Sequence, residues 1–268
     1  ANSINTEIAA NTAKVTNATH TGDVTGATAL TIATDAVDIA MLSATGTASA
    51  TTFLRGDNAW ASAAAGLNSV QTFTASGTWT KPAGITKVIM EVQGAGGGGG
   101  GMSSGDRGGS GGAGGYAKKF LDVSSISTST ITIGAAGTGG AAVSGSSGAN
   151  GVAGGASSWA DGTNTITGSG GAPGLSTWAN YGNGGLGGTA TGGDVNIQGC
   201  IGGGGWTPKG GDSVLGFGGV WQNYENYATA VATGYGGGGV GGVNVAYSAT
   251  YGVGRPGTVG IIIVWEYK

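Results

Sequence analysis

Residues 94–115 read GAGGGGGGMSSGDRGGSGGAGG, and this stretch decides the fold. A period of three matches one turn of a polyproline-II-type helix, which has no internal hydrogen bonds. The amide and carbonyl groups of such helices must bond to neighbouring helices if the whole is to be compact. Glycine would permit that close approach. The second half of the stretch has this period, because glycine recurs at every third position, at Gly105, Gly108, Gly111 and Gly114.

The same spacing recurs in short runs as far as residue 260. Residues 1–93 hold 7 of the 63 glycines, and residues 94–260 hold the other 56. Collagen is excluded because the runs are short, their phase resets and the chain has only 4 prolines. Disorder is the alternative for glycine-rich sequence, but a flexible linker needs neither a three-residue phase nor tryptophans. The sequence therefore predicts an ordered array of glycine helices.

Strand patterns lie on both sides of this array. Residues 70–80 and 85–93 precede it, residues 116–123 and 130–133 interrupt it, and residues 260–267 end the chain. We expect the first and last of these strands to pair and form a base. The predicted fold class is mostly β and irregular: a short N-terminal coiled coil and β shaft, then a small β-sheet base with a layered polyglycine-II helix array.

The first 66 residues have a different pattern. Spacings of four and three, the heptad rhythm of a coiled coil, separate Ile4, Ile8, Asn11, Val15 and Ala18. The apolar pieces that follow are too short to bury a core within one chain. We therefore predict two domains, an oligomeric fibre shaft segment at 1–66 and a glycine-rich tip domain at 67–268, and a homotrimer formed through the shaft.

The composition excludes several classes of function. Charged residues make up 9% of the chain and the net charge is −3, which gives no electrostatic footprint for nucleic acid. One histidine and one cysteine, Cys200, cannot build a His/Cys metal site, and we expect no cofactor and a buried packing role for Cys200. No apolar stretch approaches the ~20 residues of a membrane span, so we expect no membrane insertion. The chain starts at Ala1 rather than Met, as a fragment or a processed product of a longer chain would.

Several stretches resemble a known family. FTASGTWTKPAG at 73–84, the glycine block at 94–101 and GTVGIIIV at 257–264 are similar to bacteriophage adhesins with a polyglycine-II sandwich and to the glycine-rich tips of tail fibres. SATGTASATTFLRGDNAW at 43–60 resembles a recurrent tail-fibre shaft segment. In some relatives the adhesin is a separate chain on a trimeric fibre, whereas here the shaft-like sequence is fused to it.

The resemblance implies layered polyglycine-II helices and a receptor-binding adhesin at the distal end of a tail fibre of the virion. Its implied partners are upstream fibre or tail proteins and a receptor on the bacterial surface, either protein or glycan. Host attachment of this kind needs no catalysis, and no enzymatic activity is expected.

If successive glycine runs lead alternately away from the base and back to it, ten runs connect the strand that ends at residue 93 to the last strand. The loops between the runs then divide into a distal group and a base-side group. This path places residues 102–104, 141–144, 175–181, 206–215 and 243–253 at the distal end, and residues 156–167, 189–198 and 220–235 at the base. Aromatic, amide and charged side chains in the distal loops suit recognition of a protein loop or a sugar face. The predicted receptor-binding residues are Trp178, Asn180, Tyr181, Trp206, Lys209, Asp212, Asn244, Tyr247 and Tyr251.

Three alternatives stay open from the sequence. The path depends on its weakest run, Gly216/Gly219, and if that run fails, residues 220–233 with the motif WQNYENY become the first-choice recognition loop. A polysaccharide depolymerase would need paired carboxylates, and the acids of the later loops are Asp161, Asp194, Asp212 and Glu225. Ice binding by a flat glycine face fits the composition but leaves the shaft segment unexplained.

Overall fold

A computed structural model describes residues 2–15, 24–25, 31–32, 34, 42–62, 66–102, 107–144, 148–177, 182–206, 208–221, 229–243 and 252–268. The chain divides into two compact units, Ala1–Ala65 (unit 1) and Gly66–Lys268 (unit 2). Among the residues just given, no helix has the length and apolar character that crossing a membrane requires.

Unit 1 begins with helix α1 (Asn2–Val15), which confirms the helix that the heptad spacing predicts. Ile4 and Ile8 on this helix are 63% and 57% exposed. The coiled coil itself requires other chains and stays a prediction, and Ala18 lies outside the described residues. Four short strands pair as two antiparallel hairpins: β1 (Val24–Thr25) with β2 (Thr31–Ile32), and β3 (Thr52–Leu54) with β4 (Trp60–Ser62).

Unit 2 is built largely from antiparallel sheets, as a mostly β fold requires. The described strands are β5 (Leu67–Phe73), β6 (Gly77–Thr80), β7 (Lys87–Gln93), β8 (Tyr116–Asp122), β9 (Thr128–Thr132), β10 (Ser157–Ala160), β11 (Thr165–Gly168), β12 (Ala190–Thr191), β13 (Val195–Ile197), β14 (Gly216–Phe217), β15 (Val220–Trp221), β16 (Thr229–Ala230), β17 (Thr233–Gly234) and β18 (Ile261–Tyr267). Ten of them form two five-stranded sheets, sheet 1 in the order β12-β11-β10-β9-β6 and sheet 2 in the order β13-β8-β7-β18-β5.

The predicted pairing of the first and last strands is confirmed, since Phe73 of β5 lies opposite Ile262 of β18. The prediction of a single strand over residues 70–80 is wrong. The chain bends after Phe73, so that β5 joins sheet 2 and β6 joins sheet 1. The base is consequently larger than the small sheet we predicted.

The two sheets enclose one apolar core, because β10 and β11 of sheet 1 contact β7, β8 and β18 of sheet 2. Val88, Met90 and Val92 alternate along β7 and are fully buried, as the two-residue period of a strand dictates. Trp79 of β6 and Trp159 of β10 lie inside this core with ring centroids 4.8 Å apart and a tilt of 50°. The tilted geometry is favourable for aromatic pairs.

A buried carboxylate links the two sheets. Glu266 of β18 has no exposed surface and accepts hydrogen bonds from Ser69 Oγ at 2.5 Å, Gln71 Nε2 at 2.7 Å and Trp79 Nε1 at 2.7 Å. Ser69 and Gln71 belong to sheet 2 and Trp79 to sheet 1. Three donors compensate for the cost of burying the acid.

We expect Glu266→Gln to lower the free energy of unfolding by about 1 kcal/mol, because hydrogen bonds to a charged acceptor are stronger than neutral ones. The glutamine oxygen can still accept from Trp79, and its amide can donate to the Ser69 hydroxyl. Ser69→Ala, which removes one donor and keeps the charge, is the comparison. Guanidinium unfolding followed by tryptophan fluorescence measures both, and a Glu266→Gln variant as stable as wild type contradicts this role.

The glycine-rich segments form ten extended runs: run 1 (94–102), run 2 (107–115), run 3 (134–143), run 4 (148–155), run 5 (168–175), run 6 (182–188), run 7 (199–205), run 8 (208–213), run 9 (236–243) and run 10 (252–260). Runs 1 to 7 and run 10 each begin or end with no more than one residue separating them from a strand of the two sheets. The sheets therefore hold one end of the array.

Run 1 is surrounded by six other runs. Three consecutive amides donate to three different neighbours, Gly97 to Gly112 of run 2, Gly98 to Val152 of run 4 and Gly99 to Arg255 of run 10, each at 2.9 Å. Its carbonyls accept from runs 3, 5 and 9. Hydrogen bonding with the predicted period of three is thus observed. Run 2 likewise bonds to runs 1, 5, 6, 7, 8 and 9.

These pairings arrange the runs in three layers, with the orders 4-5-6, 3-1-2-7 and 10-9-8. Odd-numbered runs lead away from the sheets and even-numbered runs return, which agrees with the predicted path except at the eighth run. There the prediction is wrong. Residues 208–213 return alongside run 7, with Gly203 N bonded to Lys209 O at 2.7 Å. The Gly216/Gly219 segment instead turns back and runs away from the sheets, since Val220 lies antiparallel to Lys209.

The place of a run in the array affects where it can carry a large side chain. Residues 93–102, which include run 1, are all buried, and a β-carbon at any of the glycines 96–101 would fall on the backbone of a neighbouring run. Runs at the edge keep an outward position open, and their side chains there are exposed: Val152 55%, Leu186 67% and Ile201 66%. The six consecutive glycines at 96–101 therefore lie in one of the two central runs of the array.

Candidate functional site

The described run ends that flank five connections lie at the end of the array opposite the two sheets, which we call the loop end. This follows from the directions of the runs, because each of these connections joins an outgoing run to a returning one. The described residues that flank the five connections are Met102 and Arg107, Ser144 and Gly148, Thr177 and Gly182, Trp206 and Pro208, and Val243 and Gly252. The loop end gathers segments that are far apart in sequence.

Hydrogen bonds fix the spacing of these flanking residues. Met102 N donates to Gly252 O at 3.0 Å, and Met102 O accepts from Val143 N at 3.1 Å. Gly182 N donates to Arg107 O at 2.9 Å. The connections thus emerge from a cross-linked platform, an arrangement that suits recognition because a rigid scaffold positions the loops.

Of the nine predicted binding residues, the structure describes Trp206, Lys209 and Asp212. Trp206 directly follows run 7 at the loop end and is 69% exposed, which leaves its indole accessible. The other six lie outside the described residues: Trp178, Asn180, Tyr181, Asn244, Tyr247 and Tyr251. Their segments, however, are bounded by flanking residues of the loop end.

Lys209 and Asp212 lie in returning run 8, so their predicted place in a distal loop is wrong. The Lys209 ammonium pairs with the Asp212 carboxylate, which also accepts from Gly218 N at 3.0 Å. These bonds tie run 8 to the segment that turns back beside it. Burial raises the pKa of Asp212, but the hydrogen bonds from Lys209 and Gly218 and the charge of Lys209 outweigh it, and the pKa lies below its usual value. A contact of this pair with a receptor stays a prediction.

The lowered pKa gives a test by pH. A carboxyl whose pKa is depressed on folding stabilises the protein above its unfolded pKa of about 3.9 and loses that contribution as the pH falls through the folded value. We expect Asp212→Asn to cost less than about 1 kcal/mol at pH 7, since the pair is partly exposed, and the difference from wild type to shrink below about pH 4. Thermal melts at pH 7, 4 and 3 measure this, and a difference independent of pH contradicts it.

A surface groove that the sequence did not indicate lies between runs 7 and 8. It has a volume of about 400 Å³ and is lined by residues that include Cys200, Ile201, Lys209 and Asp212. Cys200 is exposed, so its predicted burial is wrong. The physical reason is that run 7 ends the middle layer and has an open side.

The alternative recognition segment, which contains the motif WQNYENY, begins at a different position from the one predicted. Its flanking strands are β15, which leads away from the sheets, and β16, which pairs with it. Residues 222–228 lie outside the described residues, but Val220 is opposite Lys209. The base-side placement of residues 220–235 therefore does not hold for the start of this segment, which approaches the loop end.

Three of the four acids that a depolymerase would use, Asp161, Asp194 and Asp212, are bonded to neighbouring groups. Asp161 accepts from the amides of Thr163 and Asn164 in the turn after β10. Asp194 pairs with Lys119 at 2.6 Å beside sheet 2. Glu225 lies outside the described residues. Within the described part of the chain, no group of three or more His, Cys, Asp or Glu residues is placed to hold a metal ion.

Comparison with known proteins gives the family of unit 2. No curated protein matches the chain. The model of a family described as the glycine-rich domain matches residues 68–267, a span that runs from β5 to β18 and includes both sheets and all ten runs. This chain belongs to the glycine-rich domain family.

Proposed function

We propose that the chain is the receptor-binding end of a bacteriophage tail fibre, a non-enzymatic adhesin that attaches the virion to the bacterial surface. The observation that carries the proposal is that the described residues flanking five connections lie together at the loop end of one hydrogen-bonded array. Leu67, the first residue of unit 2 in a strand, pairs with Tyr267 at the end of β18 that is farther from the array. Attachment to the preceding shaft and contact with a receptor would thus occur at opposite ends of unit 2.

The chemistry of the loop end supports binding without catalysis. Its segments carry tryptophan, tyrosine and asparagine, which give large contact areas and adaptable hydrogen bonds at low entropic cost. Charged residues are only 9% of the chain, so recognition would depend on desolvated aromatic anchors more than on long-range attraction. A protein loop or a glycan of the outer surface fits this chemistry.

Unit 1 supports a fibre shaft. Ile4 and Ile8 of α1 are exposed in the single chain, at positions where a coiled coil would bury them. In this proposal α1 is the end of a trimeric stalk, the hairpins after it are shaft, and unit 2 is a polyglycine-II sandwich carried at the tip, attached through unit 1 to upstream fibre or tail proteins.

Binding of the fluorescently labelled full chain to whole bacterial cells tests the proposal. We expect saturable binding, measured by flow cytometry, to some strains of a broad panel and its loss in mutants that lack one surface protein or have truncated glycans. The same cells, incubated with unlabelled chain, should release no new reducing ends. Release of reducing ends would establish the depolymerase instead, and an absence of binding to every strain would count against an adhesin.

A further inference from the structure

An apolar surface crosses the outer face of sheet 2, on the side away from the core. Register aligns four side chains on neighbouring strands, with Phe120 of β8 opposite Ile89 of β7, Ile89 opposite Trp265 of β18, and Trp265 opposite Val70 of β5. Phe120 is 51% exposed and Val70 is 44% exposed, while Ile89 and Trp265 are half-buried. We call these four residues the apolar row.

The half-buried acid beside the apolar row, Glu91, is already paired within the sheet. Glu91 accepts from Tyr116 Oη at 2.9 Å and Trp265 Nε1 at 3.2 Å, and its carboxylate lies 3.6 Å from Lys118 Nζ. Burial, and then the Glu91 carboxylate, raise the pKa of Tyr116, so its hydroxyl stays a donor at neutral pH. A partner can therefore cover Glu91 without leaving its charge unpaired, which is the usual cost of burying one.

The shape of the face also suits a protein partner. A shallow concavity of about 230 Å³ is lined by Ile89, Glu91, Lys118, Trp265 and Tyr267. Interfaces obtain most of their binding energy from a few large side chains that fill such recesses and are ringed by less important contacts. Aromatic residues are also enriched at protein interfaces.

A second copy of this chain is the partner that the rest of the molecule favours. Unit 1 leaves apolar side chains exposed in the single chain, with Ile4 at 63%, Ile32 at 58% and Phe53 at 48%. Strand β5, which carries Val70, begins at Leu67, immediately after unit 1 ends at residue 65. Copies joined through unit 1 would hold their apolar rows near one another at an effective concentration in the mM range, as a short linker does.

We propose that the apolar row is buried against a second copy of the chain, so that the tips of one fibre associate through sheet 2 instead of splaying apart. This proposal rests on the oligomeric shaft of the proposed function. Association at the bases would place several loop ends side by side, and simultaneous engagement of neighbouring receptors would then raise the overall affinity without any new contact.

Thiol labelling of the full chain tests the proposal. In a Cys200→Ser background, Val70→Cys and Phe120→Cys place a thiol in the apolar row. Leu186→Cys and Ile201→Cys, at side chains that are 67% and 66% exposed on the flank of the array, are the matched controls. We expect the two thiols of the row to react with a maleimide dye at least tenfold more slowly than the controls. The double variant Ile4→Asp/Ile8→Asp, made to dissociate the shaft, should bring the four rates together.

Light scattering on each sample decides between the outcomes. The proposal is supported if the thiols of the apolar row react slowly in every sample that is an oligomer and as fast as the controls in every sample that is a monomer. An oligomer whose four thiols react equally fast overturns it and shows that the tips splay, while the shaft stands. Slow labelling in a monomer overturns it too, because the row would then be covered by its own chain. A monomeric wild-type chain overturns both this proposal and the shaft, but leaves adhesion to be decided by the cell-binding assay.

Discussion

Replacing Gly98 with alanine should lower the free energy of unfolding by on the order of 4 kcal/mol or more, enough to prevent assembly of the array in a protein of ordinary stability. A β-carbon at this central position would fall on the backbone carbonyl of Thr138. Gly98 N also donates to Val152 O, and Gly98 O accepts from Gly174 N, both at 2.9 Å. Overpacking costs about 1–3 kcal/mol, and each buried backbone group left without a partner adds about 1–3 kcal/mol.

A matched pair within run 7 separates this steric effect from the general effect of adding a methyl group. At Gly202 a β-carbon would fall on the carbonyl of Ser110, whereas at Gly204 its nearest neighbour would be Gly182 O at 3.5 Å, an ordinary contact. We expect Gly202→Ala to be clearly destabilising and Gly204→Ala to stay within about 0.5 kcal/mol of wild type. Denaturant unfolding followed by circular dichroism measures all three variants, and equal stability of Gly98→Ala and Gly204→Ala contradicts the array.

The sequence predicts the runs themselves, because only a hydrogen-bonded array needs glycine in a fixed three-residue phase. It also contains a signal for the centre of the array that we did not use. Run 1 has glycine at all three positions of each turn at 96–101, whereas run 6 admits Asn183 and Leu186 at one position in three. Glycine at every position of 96–101 thus marks one of the two central runs, whereas run 2, which also has six neighbouring runs, has Ser110 and Ala113 at one position in three.

The sequence pattern does not show the change of sheet after Phe73 or the path of the chain at the eighth run. Phe73 and Trp79 both contact the core but lie in different sheets, so the apolar pattern gives no sign that the chain changes sheet between them. Run 8 has adjacent glycines and no three-residue phase, and the Lys209–Asp212 pair helps to hold it. Gly216 and Gly219 have the phase, but β14 pairs with β17 and diverts the chain. At residues 216–219 the pairing of β14 with β17 therefore decides the path of the chain, although the three-residue glycine spacing predicts a run there.

Alanine at Trp178, Trp206 or Tyr247 should weaken binding to host cells, and a true anchor should cost about 2 kcal/mol, a loss of roughly thirtyfold in affinity. Trp206 is 69% exposed, so its removal takes little from the core. Val152→Ala and Leu186→Ala are the controls, because these side chains are also exposed but lie on the flanks of the array. Unchanged thermal unfolding of all five variants is required before their affinities are compared.

Trp221→Ala tests whether the segment that begins with β15 takes part in recognition together with the five connections. Our sequence analysis placed this residue at the base, where its replacement would leave binding nearly intact. Strand β15 instead leads away from the sheets, and we now expect the variant to bind less well than the flank controls. Wild-type affinity of Trp221→Ala would confine recognition to the connections between the runs.

The most direct test of the central claim compares two triple variants of the full chain in the cell-binding assay. One replaces Trp178, Trp206 and Tyr247 with alanine at the loop end, and the other replaces Val152, Leu186 and Ile201 with alanine on the flanks. We predict that the loop-end variant loses measurable binding to the strains that wild type recognises and that the flank variant keeps it. Retained binding of a folded loop-end variant, together with loss in a folded flank variant, would contradict the claim that the loop end recognises the receptor.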